Sequence, residues 1–337
     1  MAAVKKILVI TSSFKRFHGD GEPDFVFQLV EQLSKKFSQI VLAPSFYYVV
    51  KKSLYVSYPV VLYRYFIRRY EKLAYDGGIP IKLENNKLYA ILVPFFIMAQ
   101  LAYGIIIVIR QPVFIIHAHW IIPQGLVAIL ISRAMKYAFG KKVKVVVTAH
   151  GSDYHKMNSR AILAIKEYVL KKSDYVAVVS NHLKNEITNT LPLKSISVAP
   201  MGIDTDRFNS SDISRNESEV IFVGRLIQQK GVSYLVEAIV ALKSRHPKIT
   251  LRVIGGGPME LELRDLVSKR GMDNCIFFEG FQSSEVISEA FQRASLCVVP
   301  SVGEEGLGLV PIEAMACGCP VIASSYGAMS DIIVDQI

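Results

Sequence analysis

Apolar residues along this 337-residue chain come in short runs, and the runs alternate with stretches of helical period. KKILVI is such a run. DFVFQLVEQLSKKF after it repeats apolar residues at Phe25, Leu29, Val30 and Leu33, the spacing of one helix face. QIVLAP, PVFIIHAHW, KVKVVVTAHG, SDYVAVVS and SISVAP read as further strands, with helical GLVAILISRAMKYAF and RAILAIKEYVLKK between them. Strands that are continuously apolar are buried on both faces, which argues for a parallel sheet covered by helices on either side. The rhythm breaks at MGIDTDRFNSSDISRNESE, which is polar and aperiodic. It restarts with the strands EVIFVGRL, TLRVIGGG, CIFFEG, SLCVVPS and PVIASS around the helices KGVSYLVEAIVALKSR and PMELELRDLVSKRG. This predicts two doubly wound α/β domains, residues 1–200 and 218–337, with a linker at 201–217. Two such domains commonly leave a cleft between them, with ligands at the carboxyl ends of the strands.

Two segments do not fit this rhythm. Tyr89 to Ile109 carries no charge and is long enough to cross a bilayer, but Pro94, Gln100 and Gly104 interrupt it and a strand follows closely. The expectation is a buried crossover helix, because the chain topology needs one there. Residues 45–75 interleave tyrosines with Lys51, Lys52, Arg64, Arg68, Arg69 and Lys72. That pattern suits either a lipid headgroup layer or an ordinary solvated face.

Composition narrows the class. Hydrophobic residues make up 51% and charged residues 20%, which excludes a disordered chain. The first ten residues read as a buried strand rather than a secretory leader, because Thr11, Ser12 and Ser13 end the apolar run at once. Cys275, Cys297, Cys317 and Cys319 lack zinc-site spacing and read as buried reduced thiols, consistent with a cytoplasmic compartment. Charge is uneven. Residues 1–200 hold 27 Lys and Arg against 11 Asp and Glu, a surplus of 16, whereas residues 201–337 hold 12 against 18. A basic half beside an acidic half suggests that the first meets an anionic surface.

Four stretches could carry chemistry. In GEEGLGLVPIEAMACGCP, Gly306 and Gly308 let backbone N–H groups approach a ligand. Pro311 is expected to open a helix, with Glu313 in its first turn. A helix start is a natural phosphate site. One acid could complement the helix dipole alone, but not the second acid, Glu305, ahead of the glycines. Acids that accept hydrogen bonds from the hydroxyls of a sugar and a ribose account for both. In VGRLIQQKG, Gly224, Arg225 and Lys230 follow a strand, a place where two cations suit a diphosphate, although a solvated helix end gives the same pattern. VIGGGPMELE lacks the G-x-G-x-x-G spacing, and no such fingerprint follows the first strand, which counts against a nicotinamide dehydrogenase. TAHGSD places His150 at a strand's carboxyl end. His117 and His119 alternate on one strand face without an evident third ligand for zinc.

These stretches occur together, and in order, with TSSFKRFHGDGEPDFV, LAYDGGIP, HAHWIIPQG, APMGIDTDRF and IGGGP. In this the chain resembles the retaining glycosyltransferases of family 4, nearly end to end. The resemblance implies a GT-B fold of two Rossmann-like domains facing a central cleft. It implies that Glu305 contacts the donor sugar and Glu313 the nucleotide ribose, while backbone amides of Gly306, Leu307, Gly308 and Leu309 face sugar and phosphate. Arg225 and Lys230 would neutralise the diphosphate without a metal. His150 would lie near the anomeric centre, and the Gly19–Gly21 turn would approach the diphosphate from the other domain. His150 and Glu305 are the candidate catalytic residues, neither assigned as general base. His119 and Asp153 are acceptor-side candidates.

The implied reaction moves a hexose from a GDP- or UDP-linked sugar to a saccharide or lipid-linked acceptor, in envelope glycan or glycolipid synthesis. GDP-mannose, UDP-glucose and UDP-N-acetylglucosamine all fit. Members of the family continue for several dozen residues beyond SDIIVDQI, so the second domain is expected to be truncated. The basic first half is the acceptor half in this family. An anionic membrane surface is therefore an expected partner through residues 45–75, with the protein cytoplasmic and peripheral on the inner face of the membrane. No nucleic-acid-binding motif is present. The competing classes are a sugar-nucleotide epimerase on the same fold and an inactive sugar-nucleotide-binding fragment.

Overall fold

The computed structural model describes residues 5–17, 20, 24–46, 56–75, 78–303 and 305–334. The chain forms two compact units, Met1–Pro200 and Met201–Ile337. In the first unit the order is β1 (Lys6–Ile10), α1 (Phe25–Ser34), β2 (Ser38–Pro44), β3 (Val60–Tyr63), α2 (Gly78–Asn85), α3 (Leu92–Arg110), β4 (Val113–His119), α4 (Leu126–Phe139), β5 (Lys144–Ala149), α5 (Ser152–His155), α6 (Arg160–Lys172), β6 (Tyr175–Val178), α7 (Asn181–Thr190) and β7 (Ile196–Val198). The second unit continues with β8 (Asn216–Val223), α8 (Val232–Leu242), β9 (Thr250–Ile254), α9 (Glu260–Lys269), β10 (Ile276–Gly280), α10 (Ser284–Arg293), β11 (Ala294–Val299), α11 (Leu309–Ala316), β12 (Val321–Ala323) and α12 (Met329–Ile332).

Every strand pairing is parallel. The first sheet runs β3-β2-β1-β4-β5-β6-β7 and the second β10-β9-β8-β11-β12. In each, the chain builds outward from its first strand and then returns to that strand's other side. The reversal leaves a gap between loops at the carboxyl ends of two neighbouring strands. Those strands are β1 and β4 in the first unit, β8 and β11 in the second.

The second sheet shows why the apolar runs are continuous. Val220 and Phe222 of β8 pack with Leu235, Val236 and Ile239 of α8 and with Leu263 and Val267 of α9. Ile221, between them, points the other way and packs with Phe291 of α10, Ala314 of α11 and Cys297 of β11. Successive residues therefore enter different cores, and each buried aliphatic side chain contributes about 1.5–3 kcal/mol. In the first unit Ile7 and Val9 of β1 join Val26 and Val30 of α1 on one face. All four cysteines are buried and unpaired.

The structure corrects three readings. The tyrosine-rich segment contains a strand, β3, that pairs with β2 at the edge of the sheet, and Tyr58, Tyr63, Tyr65 and Tyr75 are buried. The described tyrosines there are mostly core, and Tyr70 alone among them is largely exposed. Residues 47–55, including Lys51 and Lys52, lie outside the described residues. Helix α3 is the crossover from β3 to β4, but it is not buried all round. Leu92, Phe96, Gln100, Gly104, Ile107 and Val108 face inward, while much of the remaining surface is open. Finally, the strand after the polar stretch opens at Asn216, two residues inside the expected linker.

Candidate functional site

In the second unit the loops after β8 and β11 are tied together. Gly224 continues the ladder, its N–H donating to Ile254 O at 2.9 Å. Gly231 adopts φ +65°, and a Cβ there would sit 2.0 Å from Pro300 O, so only glycine lets these loops close. The N–H of Val302 donates to Gln229 O at 2.9 Å across the gap. Lys230 Nζ consequently meets Glu305 Oε1 in an ion pair, and Ser301 Oγ donates to the same carboxylate oxygen at 2.6 Å. Arg225 is exposed and makes no ion pair with a described residue.

Beyond Glu305 the chain enters α11 through Gly308 at φ +81°, with Met329 packed so close that a Cβ would lie 2.0 Å from its Cε. Among the described residues no side chain caps this helix, so the N–H groups of its first turn are available to an anion. The helix opens at Leu309, so Pro311 is its third residue, not its first, and buried. Glu313 is the fifth residue, beyond the first turn, where a helix-dipole role is weakest. Burial, and behind it the nearby Glu313 carboxylate, raises the Cys317 thiol. Leu307 is buried, while Gly306 and Leu309 are partly open.

The first unit builds something different at its strand ends. His117 Nε2 lies 2.8 Å from Thr148 Oγ1, and His119 Nδ1 lies 3.1 Å from His150 Nε2. The His119 and His150 rings stack at 5.3 Å, and Trp120 and Phe25 each approach His150 to 5.0 Å. Desolvation pushes His150 down to about 3 and His117 down to about 4, the charge of His117 adding to the shift at His150. His119, wholly buried, is pushed well below the usual range by burial and by both neighbours. The cluster is therefore neutral at pH 7, and one of the facing nitrogens must donate to the other. If His119 Nδ1–H donates, the proton of His150 sits on Nδ1. His119 Nε2 has no partner among the described residues.

Asp153, an acceptor-side candidate from sequence, is buried and turned to the backbone. Its carboxylate accepts from Ile121 N–H at 2.6 Å and from His150 N–H at 3.0 Å. Burial raises its pKa. It positions His150 rather than reaching out, and His119 is likewise sealed. Trp120, at the end of β4, holds φ +76°, strained for a non-glycine residue. Gly19 and Gly21 lie outside the described residues. Asp20 between them is held by Arg16 in a bidentate pair at 2.8 and 2.6 Å, and that guanidinium stacks 4.6 Å above Tyr75. Sequence reasoning missed this anchor, and Ser301, Phe25 and Met329 as well. Ser301, four residues ahead of Glu305, had a local signal. The others meet their partners only through the fold. Among the described residues no group of three or more His, Cys, Asp or Glu side chains has a metal-binding arrangement.

The profile described as Glycosyltransferase Family 4 matches residues 25–207, more than half of the chain, and that of Glycosyl transferases group 1 matches residues 204–337. The chain belongs to glycosyltransferase family 4. An uncharacterized family relative from Methanocaldococcus jannaschii is 32% identical over 195 residues, covering 53% of this chain and 50% of its own length. The GDP-mannose-dependent alpha-(1-6)-phosphatidylinositol monomannoside mannosyltransferase of Mycolicibacterium smegmatis is 26% identical, covering 57% of this chain and 55% of its own. This family 4 chain thus spans about half the length of the curated relatives it matches. Among solved structures, sucrose-phosphate synthase from Thermosynechococcus elongatus superposes with a TM-score of 0.74 at 21% identity, over 98% of this chain and 84% of that one. Anabaena HepE in complex with UDP-glucose gives 0.70 at 17% identity, over 98% and 83%. The fold is of the GT-B type, two parallel-sheet α/β domains.

Proposed function

We propose that this chain is a retaining hexosyltransferase that takes a GDP- or UDP-linked sugar and passes the hexose to a hydroxyl of a saccharide or lipid-linked acceptor. The observation that carries the reading is the Lys230–Glu305 pair at the β8/β11 reversal, beside an uncapped helix start. Without ligand, the carboxylate holds the ammonium. A diphosphate is the stronger partner for Lys230 and Arg225. Its arrival releases Glu305 to accept hydrogen bonds from sugar hydroxyls, with Glu313 one turn into the helix for the ribose.

In the proposed step the bond from the anomeric carbon to the diphosphate oxygen breaks, and the acceptor oxygen bonds to the same face of that carbon. The acceptor proton passes to the departing diphosphate. Arg225, Lys230 and the backbone N–H groups at Gly306–Leu309 stabilise the charge that grows on the leaving group, in place of a divalent metal. The neutral His150 is the first unit's candidate for a hydrogen bond to a sugar hydroxyl. Relatives named for GDP-mannose-dependent transfer to a phosphatidylinositol mannoside, for glycogen synthesis and for amylovoran biosynthesis lend support to a saccharide or lipid-linked acceptor and a polysaccharide or glycolipid role. Cytoplasmic placement, at the inner face of a membrane, follows from such an acceptor and a soluble donor.

The test is to incubate the protein with UDP-glucose or GDP-mannose, with and without membrane extract, and to follow nucleoside diphosphate release and the anomeric configuration of the product. Acceptor-dependent release with retained configuration is expected. Turnover without acceptor would mean an epimerase or hydrolase, and an inverted product would remove the retaining mechanism.

A further inference from the structure

Helix α3 carries its polarity inside out. Its one uncharged polar amide, Gln100, points inward and donates to Tyr63 Oη at 3.0 Å. Inward-facing Gly104 lets Ile131 of α4 approach so closely that a Cβ would meet its Cδ1 at 2.4 Å. The outward face is apolar: Leu88 just ahead of the helix is 71% exposed and Met98 67%, with Ile91, Phe95, Ile106 and Ile109 also open. Leu88, Ile91, Phe95 and Met98 follow at three- and four-residue steps, and Ile106 and Ile109 resume the pattern about two turns on, so they lie on one side. A surface helix in water presents the opposite arrangement.

The rim of this face is basic. Phe66 packs against Phe95 at 5.2 Å and against Tyr70 at 6.3 Å, which brings the exposed turn of Ile67, Arg68 and Arg69 alongside. Glu71, the acid of that turn, is buried and accepts from the N–H groups of Tyr65 and Phe66 at 2.8 and 3.2 Å. Lys87 and Arg110 are exposed at the two ends of the helical stretch. Residues 85–152 contain seven Lys and Arg and not one Asp or Glu.

We infer that the outer face of α3 is a docking surface that lies in the headgroup region of an anionic bilayer, apolar side chains inserted and Arg68, Arg69, Lys87 and Arg110 on the phosphates. The 24 residues Lys87–Arg110 are long and apolar enough to cross a membrane. The helix lies on the membrane instead, because its inner face is part of the core of the first unit and the sheet is continuous on either side of it. Charge selects the occupant. Pairing this face with a second copy would bring two basic rims together, whereas an anionic surface neutralises one. The surface moves from the 45–75 segment expected from sequence to α3, with only the Ile67–Arg69 turn retained. It rests on the lipid-linked-acceptor reading for its purpose, but its test needs neither donor nor acceptor and so fails separately from that reading.

The test is flotation of the full chain with vesicles of phosphatidylcholine alone and with about a third phosphatidylglycerol. Wild type is expected to prefer the mixed vesicles by about tenfold or more at low salt. The double variant Ile91→Asn/Met98→Gln, altered only at exposed positions, is expected to bind both about tenfold less. Arg68→Glu/Arg69→Glu is expected to lose the anionic preference. A dye on Met98→Cys, read against the four buried native thiols, is expected to shift to the blue on anionic vesicles even if the polar variant folds poorly. Equal binding by wild type and Ile91→Asn/Met98→Gln would overturn the proposal, as would an unshifted dye. So would a dimer in solution that Met98→Gln splits and that ignores vesicles, since a second copy would then own the face.

Discussion

At the strand ends of the first unit the reactive groups are neutral, stacked and desolvated: three histidines against Trp120 and Phe25, with an acid beneath them that serves the backbone. At the strand ends of the second unit they are ionic and partly open, with a lysine and a glutamate in contact and an arginine facing solvent. The same topology, a parallel sheet reversing beside its first strand, carries both. Burial sets the difference. A desolvated imidazole cannot hold charge, so the first unit can offer hydrogen bonds to a neutral ligand but no electrostatic pull. An ion pair that still reaches solvent, Lys230 at 22% and Glu305 at 12% exposure, can be opened by a competing anion, so the second unit suits a polyanionic ligand.

The sharpest way to break this contrast is Glu305→Gln. If Glu305 competes for Lys230 until a diphosphate arrives, the amide lowers turnover by about a hundredfold while affinity for GDP or UDP without sugar is unchanged or rises. Calorimetry of the bare nucleotide beside a turnover assay separates the two. Nucleotide affinity falling together with turnover would contradict the exchange.

Next in size is Asp153→Ala. It strips two backbone N–H groups of their buried acceptor and is expected to destabilise the first unit by about 2–5 kcal/mol, read by denaturant unfolding. Asp153→Asn keeps one acceptor oxygen and should cost less. Gly308→Ala combines φ +81° with a clash against Met329 and is expected to cost about 1–3 kcal/mol. Met329→Ala in the same chain should return part of that and leave the backbone strain.

Smallest, over the first pH unit below neutrality, is the effect of pH. His150 and His117 are held near 3 and 4 in the fold against about 6.5 unfolded. Below about 6.5 the unfolded chain therefore binds protons that the folded one refuses. Stability falls with decreasing pH across that window, by up to about 1.4 kcal/mol per pH unit for each histidine, and is level above it. Asp153, raised by burial, works in the opposite sense, and Asp153→Asn removes that opposing slope. Unfolding of wild type and His117→Asn between mild acid and neutrality checks the sign.

Much of this was legible in sequence for a physical reason. β1, β4 and β8 are covered on both faces along ILVI, VFII and VIFV, so those stretches must be apolar, and a run of four such residues is visible without context. Glycines at 231 and 308 stand where loops and helices begin, and their spacing to charged residues is local. The edge strand β3 was not legible, because only one of its four residues is buried and its neighbours read as a tyrosine–arginine surface. For α3 the composition announced a helix but could not say which side would be covered. Arg16–Asp20 was missed because its value lies in Tyr75, which only folding brings over it. The histidine cluster was visible as three residues, yet its neutrality comes from Trp120, Phe25 and the surrounding core.

The second unit is proposed to hold a nucleotide sugar through Arg225, Lys230, Glu305 and Glu313. The most direct measurement is the thermal stability of the protein against a panel of sugar nucleotides, with Arg225→Ala and Glu313→Ala alongside. One donor is expected to raise the transition temperature of wild type, and both variants to lose most of that rise while unfolding normally without ligand. A donor that stabilises wild type and both variants equally would contradict it, because the nucleotide would then be held elsewhere.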